Sequence, residues 1–345
     1  MYLDVDGAHR PAAGACLRAF EHLADELRGR ARSREDQRLL RSVEGDIARM
    51  RAWLAGGIDR SRVRGVALFS CHDQGWFEAM ELSMPVRDEV AIDPSPRIRQ
   101  LVELLDRREP FVTAVVDRGR VRIVRVEGSN VEERAVPMPQ RERAASGERD
   151  RPRTETVHAE FRRAAAAVDD IVWIRPVRQV VLGGPEDGVA ALERALAPST
   201  RRLVAGRVAL PAGAPLDDVV IAARHVVAAA ERRREAGLVE QMRQRAAQEK
   251  GAVVGLEATL AALAENRVAT LLVSGDFAAP GASCPSCGHV GPDLRQCPEC
   301  GTTNVEREDV VELAIERAVA QDADVEICHG TDLDRFGKIA AIERY

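Results

Sequence analysis

Four cysteines near the end of the chain, Cys284, Cys287, Cys297 and Cys300, are spaced Cys-x2-Cys-x9-Cys-x2-Cys. Two such pairs converge on one tetrahedral ion, because each short pair turns the chain so that both sulfurs face the same point. Gly288 and Gly301 follow the pairs, where a tight turn needs a residue tolerant of positive φ. The surrounding stretch carries Pro285, Pro292 and Pro298 and almost no large apolar side chain, so a metal would have to supply its folding energy. Zinc on four thiolates is the first expectation. Disulfides and a redox pair remain the alternatives. Four protein ligands leave no open coordination position, so the Zn2+ would be structural. His289 is either a competing ligand or a solvated loop residue.

A second group is cationic. Residues 137–157 lack hydrophobic periodicity, and within them 141–153 carries Arg141, Arg143, Arg149, Arg151 and Arg153 against Glu142, Glu148 and Asp150. Arg162 and Arg163 follow on a predicted helix. The planar guanidinium fork suits RNA phosphates, and neutralising phosphates releases counterions. A solvated loop is the competing reading. Other residues have plain structural readings. Cys71-His72 and Cys328-His329 each follow a strand without a second ligand nearby in sequence. Gly183-Gly184-Pro185 reads as a strand-to-helix turn, lacking the lysine of a phosphate loop. Asp117 serves a turn, Asp169 and Asp170 a helix end. Trp53, Trp76 and Trp173 are expected in core or edge packing.

These groups sit in a chain of 345 residues, long enough for two or three domains. Aromatic residues make up only 3%, so the core must be mostly aliphatic. Net charge is −5, which confines any nucleic-acid contact to a local basic patch. Cys16, Cys71 and Cys328 are scattered. No apolar run approaches the length of a membrane span, and a cytoplasmic protein is expected.

Leu17, Phe20, Leu23 and Leu27, then Leu40, Val43, Ile47, Met50 and Leu54, predict two amphipathic helices. Ser33 with Asp36 reads as the capping signal of the second, which Gly56-Gly57 ends. Strands are expected at 63–70, 76–82 and 86–92, then a helix over 98–105. Residues 111–116 and 121–126 flank a glycine-bearing hairpin turn, with a third strand over 131–136. A helix over 158–168, a strand over 179–182 and a helix over 189–196 predict an α/β arrangement. Val219, Ala223, Val226, Val227 and Ala230 open a long helix, interrupted at Gly237 and reaching about residue 248; its Arg232–Arg234 run could also meet RNA. A helix over 256–263, a strand over 269–273, a helix over 310–320 and strands over 325–328 and 339–342 complete the chain. The cysteine segment, 279–304, interrupts this last pattern as an inserted minidomain.

The stretch Lys250-Gly251-Ala252-Val253-Val254-Gly255-Leu256-Glu257 and the ending Gly337-Lys338-Ile339-Ala340-Ala341-Ile342-Glu343-Arg344-Tyr345 resemble the C-terminal domain of archaeal and eukaryotic class-one peptide-chain release factors and of Pelota. In the central unit Val115-Val116-Asp117-Arg118 begins a strand pair and Val181-Leu182-Gly183-Gly184-Pro185-Glu186 resembles the strand-turn-helix of their middle domain, while Gly65-Val66-Ala67-Leu68-Phe69-Ser70 resembles the bacterial branch of this superfamily. The resemblance implies an α+β protein of three domains. These are an N-terminal domain over 1–107 (a helical hairpin plus sheet), a middle α/β domain over 108–248, and a C-terminal domain over 249–345 of the kink-turn-binding ribosomal-protein type with a zinc ribbon inserted.

Release factors of this family cleave peptidyl-tRNA with a Gly-Gly-Gln tripeptide on the middle-domain loop. Here that loop is 137–157 and the tripeptide is absent: Gln140 stands between Pro139 and Arg141, and Ser146-Gly147-Glu148 is the nearest small-residue turn. The stop-codon-reading Asn-Ile-Lys-Ser motif is absent as well. Pelota and the bacterial hibernation factor Balon likewise occupy the ribosomal A site without the tripeptide. The resemblance therefore implies a monomeric ribosome-binding factor of rescue or hibernation that contacts rRNA in the A site by tRNA mimicry, with a translational GTPase as a further partner. The rival reading is a peptidyl-tRNA hydrolase using Gln140 or Glu148 in a remodelled loop.

Overall fold

A computed structural model describes residues 1–12, 14–107, 109–117, 119–128, 130–138, 153–211, 213–292 and 295–344. The chain divides into two compact units, Met1–Leu104 with Leu238–Tyr345, and Leu105–Gly237.

The first unit opens with strand β1 (Tyr2–Asp4), helices α1 (Ala15–Ser33) and α2 (Gln37–Ala55), and strands β2 (Gly65–Cys71) and β3 (Trp76–Leu82). These strands form an antiparallel sheet in the order β1-β2-β3. The helices bury Phe20, Leu23, Leu27, Val43, Ile47 and Met50 on one face with Leu3, Val66 and Leu68. Helix α3 (Arg99–Arg107) places Leu101 and Leu104 with Tyr2, Ala67 and Leu82. The cap of α2 is Asp36, which accepts the N–H groups of Arg38 and Leu39. Ser33 instead closes α1 by donating to the Arg30 carbonyl at 2.8 Å. The strand expected over 86–92 does not form. Glu89 bridges Tyr2 alone, and the Asp88 carboxylate accepts the Asp4 N–H at 2.8 Å, so the ladder cannot propagate.

The second unit holds β4 (Phe111–Asp117), β5 (Arg120–Glu127), β6 (Asn130–Pro137), α4 (Arg153–Ile174), β7 (Gln179–Gly183), α5 (Glu186–Ala195), α6 (Pro198–Arg201), β8 (Val204–Val208) and the start of α7 (Leu216–Ala247). Its sheet runs β6-β5-β4-β7-β8, antiparallel over the first three strands and parallel from β4 to β8. Central β4 is covered on both faces, which explains its unbroken apolar run. One face packs on α4 and α5 through Phe161, Val168, Val189 and Leu192. The other packs on α7 through Val219 and Ala223. At the β7–α5 turn Gly184 has φ +116°, and a Cβ there would stand 2.4 Å from the Val116 carbonyl oxygen.

Two helix expectations need correction. Helix α4 begins at Arg153 and ends at Ile174, five residues earlier and six later than the apolar pattern indicates. Helix α7 runs 32 residues without a break at Gly237. A lone glycine costs a helix about 1 kcal/mol, and buried Glu235 and Val239 on either side outweigh that.

The C-terminal part of the first unit contains β9 (Ala252–Val254), α8 (Leu256–Ala264), β10 (Val268–Ser274), β11 (Gly281–Ser283), β12 (Val290–Gly291), β13 (Val305–Arg307), α9 (Val310–Ala320), β14 (Asp324–Cys328) and β15 (Ile339–Glu343). The mixed sheet β14-β10-β15-β9 carries α8 and α9 on one face and the end of α7, through Val239 and Met242, on the other. Strands β12-β11-β13 form a separate small antiparallel sheet around the cysteines.

An ion network joins the two parts of this unit. Arg99, only 8% exposed, donates to Asp309 at 3.1 Å and to the Phe277 carbonyl at 2.6 Å, and lies 3.1 Å from Glu312. Arg97 pairs with Asp93, Glu89 and Glu308, while Arg30 and Arg34 also reach Glu308.

Candidate metal centre and basic surface

The ligand atoms of Cys284, Cys287, Cys297 and Cys300 all lie within 4.8 Å of one another. Backbone turns build this cluster. Gly288 N–H donates to the Cys284 carbonyl at 3.0 Å and Gly301 N–H to the Cys297 carbonyl at 2.9 Å, each glycine at positive φ. The small sheet then ties the turns back: Cys284 N–H donates to the His289 carbonyl at 2.7 Å, and Cys297 N–H to the Thr302 carbonyl at 2.8 Å. Cys284 and Cys297 are buried, Cys287 and Cys300 exposed, and all four are free thiols.

Electrostatics favour thiolate at two positions. The N–H groups of Cys287 and Ser286 point at the Cys284 sulfur and hold its thiol below the ordinary range. The Thr302 hydroxyl, followed by its backbone N–H, draws Cys300 down to about 6. Cys287 moves the other way: despite a backbone hydrogen bond from His289 that lowers it, the Cys297 thiol and burial push it up to about 12. The convergence of the four sulfurs is therefore what makes a chemically suitable tetrahedral site for a thiophilic divalent ion. His289 contributes no ligand atom to the group found among the described residues.

The second expected site is divided. Gln140, Arg141, Arg143, Glu148, Arg149 and Arg151 lie outside the described residues. Arg153 belongs to the first turn of α4 rather than to a loop. Arg162 and Arg163 are exposed on the same helix. The extended α4 also carries Trp173 to its last turn, where it is 86% exposed instead of packed. Trp76 is partly exposed and stacks on Phe69, and Trp53 packs at the edge of the N-terminal core. Asp117 accepts the Gly213 N–H at 3.0 Å, and Asp169 the Ala197 N–H at 3.1 Å, so both carboxylates hold loops in place.

The ion network around Arg97 and Arg99 had no sequence reading. Its signal is two arginines just after Pro94 and Pro96, and three acids just after the last cysteine pair. Nothing in linear spacing joins positions 211 residues apart, as Arg97 and Glu308 are.

Residues 96–235, nearly all of the second unit, match the family model of bacterial archaeo-eukaryotic release factor family 10. Among solved structures the chain is similar to Pelota from Archaeoglobus fulgidus, at 15% identity over 72% of this chain and 69% of that one, TM-score 0.38. Dom34 from S. cerevisiae, a translation termination-like factor interacting with Hbs1, gives 10% identity over 68% and 63%, TM-score 0.42. A ribosome-bound archaeal Pelota with ABCE1 gives 15% identity over 81% and 77%, TM-score 0.47. No curated protein matches the chain.

Proposed function

We propose that this chain is a ribosome-associated factor that enters the A site by tRNA mimicry and acts in hibernation or rescue without cleaving peptidyl-tRNA. The observation that carries the reading is a contrast. Residues 96–235 match a release-factor family, yet the segment after β6 reads Pro139-Gln140-Arg141 with no Gly-Gly-Gln. Two flexible glycines let a backbone approach a substrate closely, and that approach is lost here. The arginines of 141–153, with Arg162 and Arg163, serve instead as phosphate contacts to rRNA.

The four cysteines hold a structural Zn2+, completing a ribbon inserted in a C-terminal domain. The three-domain division (1–107, 108–248 and 249–345) is retained in this proposal. The factor works as a cytoplasmic monomer, with a translational GTPase as a candidate partner. Among the described residues no helix is long and apolar enough to cross a membrane.

One feature supports a second reading, a hydrolase: Gln140 is still present in the segment. Co-sedimentation with purified ribosomes over a salt series tests the first proposal, and absence of binding at low salt rejects it. Ribosomes carrying labelled peptidyl-tRNA separate the two. Occupancy without released peptide supports the binder, whereas release abolished by Gln140→Ala or Glu148→Ala supports the hydrolase.

A further inference from the structure

We propose that the four-cysteine site also governs how firmly the N-terminal part of the first unit, Met1–Leu104, is held against its C-terminal part. This rests on the metal reading of the cysteines. The two ends of the cysteine segment close on each other. Val310 N–H donates to the Ala279 carbonyl at 2.8 Å, and Ala279 N–H to the Asp309 carboxylate at 3.2 Å. Strand β11 pairs with β13, and Arg307 Nε reaches Ser283 Oγ at 2.7 Å. Glu308 and Asp309 then follow β13 with no spacer.

Those two carboxylates receive the arginines of the N-terminal part. Glu308 takes Arg30 at 3.0 Å, Arg34 at 2.8 Å and Arg97 at 3.1 Å. Asp309 takes Arg99 at 3.1 Å. A stretch of about 25 residues with little core of its own thus presents the acids that anchor α1 and α3. Without an ion on the sulfurs, the β11–β13 pairing loses its main support, since folding of such ribbons is coupled to metal. Glu308 then loses its fixed position, and Arg30 and Arg34 lose the carboxylate that links them to Arg97, whereas Asp309 stays in place as the N-cap of α9, accepting the Val311 N–H at 2.9 Å. The contacts at the start of α3 do not depend on the ribbon: Asp309 keeps the Arg99 guanidinium, and Glu312, within α9, still accepts the Ile98 and Arg99 N–H groups. The expected result is a loosened N-terminal part, still tethered at the start of α3.

Hydrogen exchange by mass spectrometry on the full chain, with zinc content measured on the same samples, tests this. Chelation should accelerate exchange about tenfold or more in peptides covering 28–36 and 89–97, as well as in 279–307, with 98–104 changing less. Glu308→Gln, with zinc retained, should reproduce the change at 28–36 and 89–97. Acceleration confined to 279–307 on chelation, or an unchanged pattern in Glu308→Gln, overturns the coupling. Failure of the metal reading is separate, since it appears as zinc-free protein before any exchange is measured.

Discussion

Glu312, in the first turn of α9, accepts the backbone N–H of Arg99 at 3.2 Å across a separation of 213 residues, and the Arg99 guanidinium lies against the same carboxylate. One helix start is thus capped by the side chain of another helix, with the charge neutralised in place. Buried pairs of this kind are costly to break from one side, because the abandoned partner stays desolvated. Arg99→Ala strands Asp309 and Glu312, and the expected loss is about 3–5 kcal/mol in a urea titration. A loss below about 1 kcal/mol, the range of exposed pairs, would show that this site is open to water.

The pH dependence has a definite sign. Burial holds the Glu312 carboxyl above its ordinary 4.5, despite Arg99 pulling the other way. The folded chain therefore binds this proton at higher pH than the unfolded chain does. Stability from this group is fullest below the ordinary value and declines as pH rises through the raised folded value. The stability difference between wild type and Glu312→Gln should fall as pH increases from about 4 to 7. A difference that grows with pH shows that the attraction of Arg99 outweighs burial.

Two glycines predict opposite outcomes. Gly184→Ala forces a side chain into left-handed backbone 2.4 Å from the Val116 carbonyl, and a loss of roughly 2 kcal/mol or more is expected. Gly237→Ala, exposed within α7 with open space around it, should gain about 0.5–1 kcal/mol. Thermal unfolding of the two variants beside wild type reads both.

How much could be read before the fold was known follows from the same physics. Periodicity located most helices and strands, because their apolar faces are regular. It missed β1 and β9, three residues long and too short for a period to register, and β8, whose five residues include Gly206 and Arg207. It broke α7 at Gly237 by giving local propensity priority over packing. The cysteine cluster was legible because its ligands are close in sequence. The arginine–carboxylate network was not, because the pairs that join its two parts, such as Arg97–Glu308 and Arg99–Asp309, depend on tertiary closure.

Replacing a buried thiol, as in Cys284→Ser or Cys297→Ser, should abolish stoichiometric zinc binding. It should also remove the tetrahedral thiolate spectrum of the cobalt-substituted protein. Full metal retention in both variants would assign the ion to other ligands.

For the basic surface, Arg162→Glu with Arg163→Glu should weaken ribosome association and lower the slope of log affinity against log salt by about one to two. An unchanged slope places the phosphate contacts elsewhere on the chain.

The unbroken course of α7 constrains how the gene can be dissected. Its early turns supply Val219 and Ala223 to one core, and its later turns supply Val239 and Met242 to another. A cut inside either half of this rod, away from Gly237, strips one of those cores of the residues that cover it. Separately expressed pieces should therefore each keep a generous share of that rod, or they will aggregate for reasons unrelated to their biology.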